Sequence, residues 1–288
     1  YKTDGIHHLS CPNPYRRPDW VSEAQFCDHL IAEFEALIAR VGADRIGGFI
    51  AEPIQASGGI IIPPEGYLRR MWEVCQRHDI LFIADEVVTA FGRIGHWFAS
   101  LSEFGVQPDM IASAKGLTSG YLPLGALILS DRIWAAMATG GHRWFTTGLT
   151  YSGHPVSCAA GLKNIEIMER EGLLENATKV GTYFQFRLKA LETLPLVGNV
   201  RGKGLMLCVE SVANKTTKEL LPDWVNESKR ISNVAESLGL IVRPIGHLNV
   251  MSPPLIITES DVDFIAETLE IAIRRVTDDL TREGIRLG

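Results

Sequence analysis

Lys115 stands in Asp109-Met-Ile-Ala-Ser-Ala-Lys-Gly-Leu-Thr-Ser-Gly-Tyr121, directly after an apolar run and directly before a glycine. Such a junction is where a buried strand hands a side chain to a loop. Upstream, Ile80-Leu-Phe-Ile-Ala84 ends in the same manner on Asp85-Glu86. A lysine amine in water is protonated and inert as a nucleophile, whereas burial depresses its pKa and frees the lone pair. The amine can then form a Schiff base with a carbonyl, either a substrate's or that of pyridoxal 5′-phosphate (PLP). A class I aldolase, the first case, calls for acids beside the scissile bond on a barrel and for no phosphate cup. PLP chemistry calls for a protonated pyridine nitrogen, which an Asp held against it provides. Asp85 with Lys115 favours PLP over the aldolase, although most lysines are solvated charges and most strand-end acids are caps.

The elements that must position these groups follow from periodicity. Ser22 to Val41 predicts a helix with Phe26, Leu30, Phe34, Leu37 and Val41 on one face, Ser22 and Gln25 as a capping box, and Gly42 as its stop. Ile46 to Glu52 predicts a strand ending in an acid before Pro53, Tyr67 to His78 a second amphipathic helix, and Ile80 to Ala84 the next strand. Short, nearly continuous apolar strands alternating with helices are the pattern of a parallel sheet covered on both faces. Ligand sites in such sheets gather at the carboxyl ends of the strands, where Glu52, Asp85 and Lys115 all fall. Leu124 to Ser130 and Thr146 to Tyr151 add two expected strands.

Beyond Pro155 the pattern changes. Val156 to Arg170 and Leu173 to Thr193 predict long helices. Asn199 to Glu210 and Leu240 to Pro244 are strand-like around a helix at Asn226 to Leu238, and Thr258 with Asp261 caps a last helix. This mixture predicts a smaller α+β domain at 170–288 after a larger, mainly parallel α/β domain at 1–169. Gly198-Asn-Val-Arg-Gly-Lys-Gly204 is one residue too short between its glycines for a phosphate-binding P-loop and lacks the following Ser or Thr, so it reads as a glycine-rich turn. His154-Pro155 ahead of a helix reads as a turn and cap feature.

The chain of 288 residues is 46% hydrophobic and 22% charged, an ordinary globular balance. A net charge of -6 without a Lys/Arg cluster argues against a nucleic-acid partner. The five scattered cysteines form neither a disulfide framework nor a zinc spacing, and no apolar run reaches membrane-spanning length. The expected setting is a reducing cytoplasm.

Four spaced motifs carry a resemblance. Ala51-Glu52-Pro53-Ile54-Gln55, Phe82-Ile-Ala-Asp85-Glu86-Val87 with Phe91-Gly92-Arg93-Ile94-Gly95, Ala112-Ser-Ala-Lys115-Gly116, and Thr150-Tyr-Ser-Gly-His-Pro155 occur in that order. Together they resemble the class III (omega) aminotransferases of the fold type I PLP superfamily, along nearly the whole chain. Ala90 where the family usually has Gly, and Ile94 where Thr is common, are small departures. The resemblance implies that Lys115 bonds to PLP and shuttles a proton, that Asp85 pairs with the pyridinium nitrogen, and that Val87 packs on one ring face. It also implies that Thr150 reaches the cofactor phosphate of a partner subunit, so that the site needs a homodimer or a dimer of dimers, and that Glu52 lines the site.

Two further features bear on substrates. Family members that use 2-oxoglutarate commonly read Asp-Glu-Val-Gln at the nitrogen-pairing motif, where this chain has Val88. They also carry an Arg shortly before a Pro-Pro-Leu segment, where this chain has Val250-Met-Ser-Pro-Pro-Leu255. Arg243, in Gly239-Leu-Ile-Val-Arg243-Pro244, instead resembles the mobile arginine of the omega-amino acid:pyruvate group, whose planar fork suits a carboxylate. The expected partners are therefore an omega-amino acid or amine and a keto acid, pyruvate first, exchanging an amino group by a ping-pong mechanism. An aminomutase or racemase would use the same Lys and Asp, and a non-catalytic dimerisation module or fragment is the alternative from another class. Family members usually have an N-terminal segment with a Gly/Ser-rich phosphate cup and a ring-stacking aromatic. Neither motif precedes Glu52, and the start at Tyr1 reads as the middle of a longer protein.

Overall fold

The computed structural model describes residues 3–139 and 147–288. It is an α/β structure in two compact units. One holds the chain up to Ile54 with Ile62–Ala90 and Phe98–Glu166, and the other holds Gln55–Ile61, Phe91–Trp97 and Ile167–Gly288.

The first unit opens with α1 (Glu23–Val41), whose buried face includes Phe26, Leu30, Phe34 and Leu37. Gly42, at φ +94°, stops it, and its N–H returns to the Ile38 carbonyl at 2.9 Å. The expected capping box does not form: the Ser22 hydroxyl donates to the Gln25 side-chain oxygen at 2.7 Å, so the two side chains satisfy each other and not the helix backbone. Then follow β1 (Gly48–Ala51), α2 (Tyr67–Arg77), β2 (Leu81–Asp85), the single turn α3 (Ala99–Ser102), β3 (Met110–Ser113), β4 (Ala126–Leu129), α4 (Asp131–Ala138) and α5 (Pro155–Arg170). The sheet order is β1-β2-β3-β4, with β1, β2 and β3 parallel and β4 antiparallel to β3. Phe82 and Ala84 of β2 are fully buried against the apolar faces of α1 and α2, in a core that includes Phe34, Leu68 and Met71.

The strand expected at 146–151 is absent. Thr146 lies outside the described residues, and 147–151 are loop and turn. Ser152 is the local cause, since its Oγ accepts from Leu149 N–H at 3.1 Å while its own N–H donates to Leu149 O at 2.9 Å. A backbone closed on itself in this way has no groups left for a sheet ladder.

The second unit is an antiparallel sheet under helices. After α6 (Leu173–Lys189) come β5 (Val197–Lys203), β6 (Met206–Ser211), α7 (Glu227–Ser237), β7 (Arg243–Ile245), β8 (Leu248–Met251) and α8 (Glu259–Arg282). The strand order is β5-β6-β8-β7, so β7 is an edge. The expected capping box of Thr258 and Asp261 forms in full at the start of α8. The single strand-like stretch expected at 199–210 is a hairpin that turns at Gly204. There φ is +53°, and a Cβ would sit 2.5 Å from the Ile94 Cα. The glycine-rich run thus serves a turn and a close backbone approach, as its short spacing suggests. Among the described residues no helix is long and apolar enough to cross a membrane.

Candidate active site

The parallel register sets the candidate groups side by side. Ala51 pairs with Ala84 and Asp85 with Ala112, so the carboxyl ends of three adjacent strands lie together. Glu52 follows β1 directly, Asp85 ends β2, and Lys115 lies two residues past the end of β3. Crevices at such strand ends are where open α/β sheets hold ligands.

Each group is fixed locally. Asp85 is half-buried, and its Oδ1 accepts the Val87 N–H at 3.1 Å, which folds the chain back and sets Val87 beside the carboxylate. Oδ2 has no partner among the described residues. Glu86 anchors this turn from within. It is fully buried, and its carboxylate accepts from Thr89 Oγ1 at 2.9 Å, from the Ala99 and Ser100 N–H groups at 2.7 Å each, and from Ser100 Oγ at 2.5 Å. Four donors compensate the burial of that charge, and two of them are N–H groups that the α3 turn cannot satisfy itself.

Lys115 has a positive φ of 39° at the start of a tight turn, closed by the Leu117 N–H to Ala114 O at 2.9 Å and the Thr118 N–H to Lys115 O at 3.2 Å. Asn164 on α5 holds that turn, donating from Nδ2 to Gly116 O at 2.8 Å and Leu117 O at 3.2 Å. A β-carbon at positive φ is strained, and such residues persist where their surroundings over-determine them. Lys115 is exposed, and its amine has no partner among the described residues. The expected burial of this lysine is therefore not met within this chain, because the amine projects from a loop past the strand end and is not enclosed by the sheet.

Glu52 is half-buried. Thr150 lies in the exposed turn before α5, away from any strand. Arg243 belongs to the second unit, where it opens β7, is exposed, and has no hydrogen-bond or ion-pair partner among the described residues. Arg93 of the Phe91–Gly95 motif is also in the second unit. It is a structural clamp, donating from Nη1 to Leu205 O at 3.0 Å and Pro253 O at 2.6 Å, and burial pulls its guanidinium down to about 10.

The donor set fits PLP in the groups it supplies. A free amine and a carboxylate oxygen without a partner, at the ends of neighbouring parallel strands, match an aldehyde and a ring nitrogen that must hold a proton. Residue patterns alone do not disclose Glu86 as the anchor of the Asp85 turn or Asn164 as the anchor of the Lys115 turn. Glu86 is legible only as the neighbour of Asp85 with Thr89 one helical turn on. Asn164 carries no local signal, because its partners are 47 and 48 positions away.

The family model described as aminotransferase class-III matches residues 2–273. The diaminobutyrate–2-oxoglutarate transaminase of Halomonas elongata is 41% identical over 97% of this chain and 61% of its own. The putrescine–pyruvate aminotransferase of Pseudomonas aeruginosa is 40% identical over 90% of this chain and 56% of its own. Among solved structures, an amine transaminase from an uncultivated Pseudomonas species, crystallised in the PLP-bound form, superposes with a TM-score of 0.89. It is 43% identical, covering 93% of this chain and 61% of that one. The chain thus spans about six-tenths of the length of these relatives. With its ordered motifs and the strand-end amine and acid, the chain belongs to the class-III aminotransferases, a PLP-dependent family.

Proposed function

We propose that the protein moves an amino group from an omega-amino acid or simple amine to a keto acid, with PLP bound at Lys115 and pyruvate as the preferred acceptor. The single observation that carries this reading is that the carboxyl ends of adjacent strands β2 and β3 present an Asp85 Oδ2 and a Lys115 amine that have no partner among the described residues. When bound, PLP supplies an electron sink for the pair left by a broken Cα–H bond. The chain's own residues supply the proton traffic. Lys115 Nζ would take the proton from the donor's Cα and carry it during the transfer. Asp85 Oδ2 would hold a proton on the ring nitrogen, with the carboxylate oriented by the Val87 N–H on Oδ1. Val87 would pack against the ring face, and Glu52 would line the site at the strand ends. The exposed Thr150 turn serves the phosphate of a neighbouring copy, which makes the working form a homodimer.

Arg243 holds the substrate carboxylate. It is exposed and without a partner among the described residues, as an arginine that must engage some substrates and release others should be. The relatives' names pull in two directions on the acceptor, one towards 2-oxoglutarate and one towards pyruvate. Val88 and the absence of Arg at Val250-Met-Ser favour pyruvate.

The test uses the full polypeptide loaded with PLP. Wild type should be yellow and should favour pyruvate over 2-oxoglutarate by at least about tenfold in kcat/KM, a discrimination of about 1.4 kcal/mol. Lys115→Ala should lose both the colour and turnover. A Lys115→Ala protein that keeps both would sink the assignment, and a preference for 2-oxoglutarate would reverse the acceptor.

A further inference from the structure

Arg243 sits on a hairpin that α7 holds at four points. Ser232 Oγ donates to Val242 O at 3.0 Å, immediately before Arg243. Ser228 Oγ donates to Gly246 O in the turn between β7 and β8. Glu227 Oε1 meets His247 Nδ1 at 2.8 Å, and Asn249 Nδ2 donates to Ser228 O at 2.9 Å. The ties fall on both sides of Arg243, while its guanidinium stays exposed and without a partner among the described residues. β7 is a strand of three residues at the sheet edge, paired among the described residues only with β8. So short a ladder fixes little by itself, and the α7 contacts fix the rest.

The composition of this clamp does not favour stability. Glu227 is fully buried, yet among the described residues its Oε2 has no hydrogen-bond partner, and Asn249 Oδ1 is likewise buried and unpaired there. Each such atom costs free energy, and replacing a buried carboxylate together with its partner by well-packed apolar side chains is often the more stable choice. The second carboxylate contact of His247, from Nε2 to Asp223 Oδ1 at 3.7 Å, ends on an exposed side chain and adds little. Burial of apolar surface therefore does not explain Glu227 and His247. The place they give the hairpin does.

We infer that Glu227 and His247 are positioning residues for substrate carboxylate recognition. Their part-buried contact fixes the β7–β8 hairpin on the first turn of α7, and the hairpin in turn fixes where the Arg243 guanidinium can meet a carboxylate. The inference rests on the reading of Arg243 given above. It predicts that the clamp matters for omega-amino acids and keto acids and is indifferent to amines that carry no carboxylate.

Two measurements on the PLP-loaded full polypeptide test it, with Arg243→Ala alongside. In His247→Ala, amide hydrogen exchange should quicken across 243–251. KM for a carboxylated donor such as β-alanine should rise about tenfold to a hundredfold, the cost of a misplaced binding group. Turnover of 1-phenylethylamine should change by less than about twofold. His247→Asn, whose Nδ2 can replace Nδ1 towards Glu227, should restore both readouts. Glu227→Leu combined with His247→Leu, which replaces both partners by apolar side chains, guards against simple unfolding: it should melt no lower than wild type and still show the raised β-alanine KM. Unchanged exchange in His247→Ala, or a loosened hairpin with an unchanged β-alanine KM while Arg243→Ala raises it, would overturn the positioning role. If Arg243→Ala is itself silent, the Arg243 reading fails first and takes the clamp's role with it.

Discussion

At the scale of single residues, the account turns on two groups that the strands β2 and β3 deliver to one edge. Asp85→Asn keeps the Val87 N–H contact but removes the charge that holds a ring proton. We predict a fall in kcat/KM of about 10²–10⁴-fold, the usual range for losing a positioned proton-handling group, measured by steady-state kinetics with little change in melting temperature. Glu86→Gln should behave in the opposite way. It weakens a buried carboxylate with four donors, so stability should drop by about 1.5–3 kcal/mol, read from denaturant unfolding. Lys115 and Asp85 were legible because each follows an apolar run that ends abruptly. The acid beside Asp85 was not, since its partners Ala99 and Ser100 become neighbours only when the chain folds. Nor did the residue pattern indicate that the Lys115 amine would stand exposed, because burial of a loop side chain depends on what encloses it.

At the scale of elements, periodicity located the helices well and the irregular joints poorly. The expected helix at Tyr67 to His78 and the α2 helix at Tyr67–Arg77 nearly coincide, because an apolar stripe and its burial are the same fact seen twice. The stretch 146–151 misled because Thr and Tyr favour strands, while Ser152 redirects the local hydrogen bonds into a turn. The β5–β6 hairpin was hidden inside one strand-like stretch, 199–210, with the glycine-rich run as the mark of its turn. Gly204→Ala would force a Cβ into the left-handed region and to 2.5 Å from the Ile94 Cα. Backbone cannot retreat as a side chain can, so we predict a loss of about 1–3 kcal/mol, or more, seen as a lowered melting temperature. An unchanged melting temperature would mean that Arg93 and Ile94 do not pack on this turn.

At the scale of the whole molecule, both units bury ionisable groups that stay protonated, which makes the fold sensitive to alkali. Burial pushes the Cys75 thiol in the first unit and the Cys208 thiol in the second up to about 12 each, and raises the Tyr67 phenol as well. An unfolded thiol ionises near about 8.5, so above that pH the unfolded chain sheds protons that the folded chain retains. Stability should thus be full below about pH 8.5 and decline as the pH rises towards about 12, detectable as a lower denaturation midpoint at about pH 10 than at about pH 7.5. The joining of 55–61 and 91–97 to the second unit was invisible in the residue pattern, since it depends on distant contacts such as Arg201 Nε to Gly59 O at 2.7 Å. The central claim, that Lys115 and Asp85 together move an amino group, is tested most directly by a half-reaction. The PLP-loaded full polypeptide, given amine donor and no keto acid, should release one equivalent of carbonyl product per Lys115 and then stop until pyruvate is added. Continued turnover of the donor without any acceptor, or no carbonyl released at all, would contradict it.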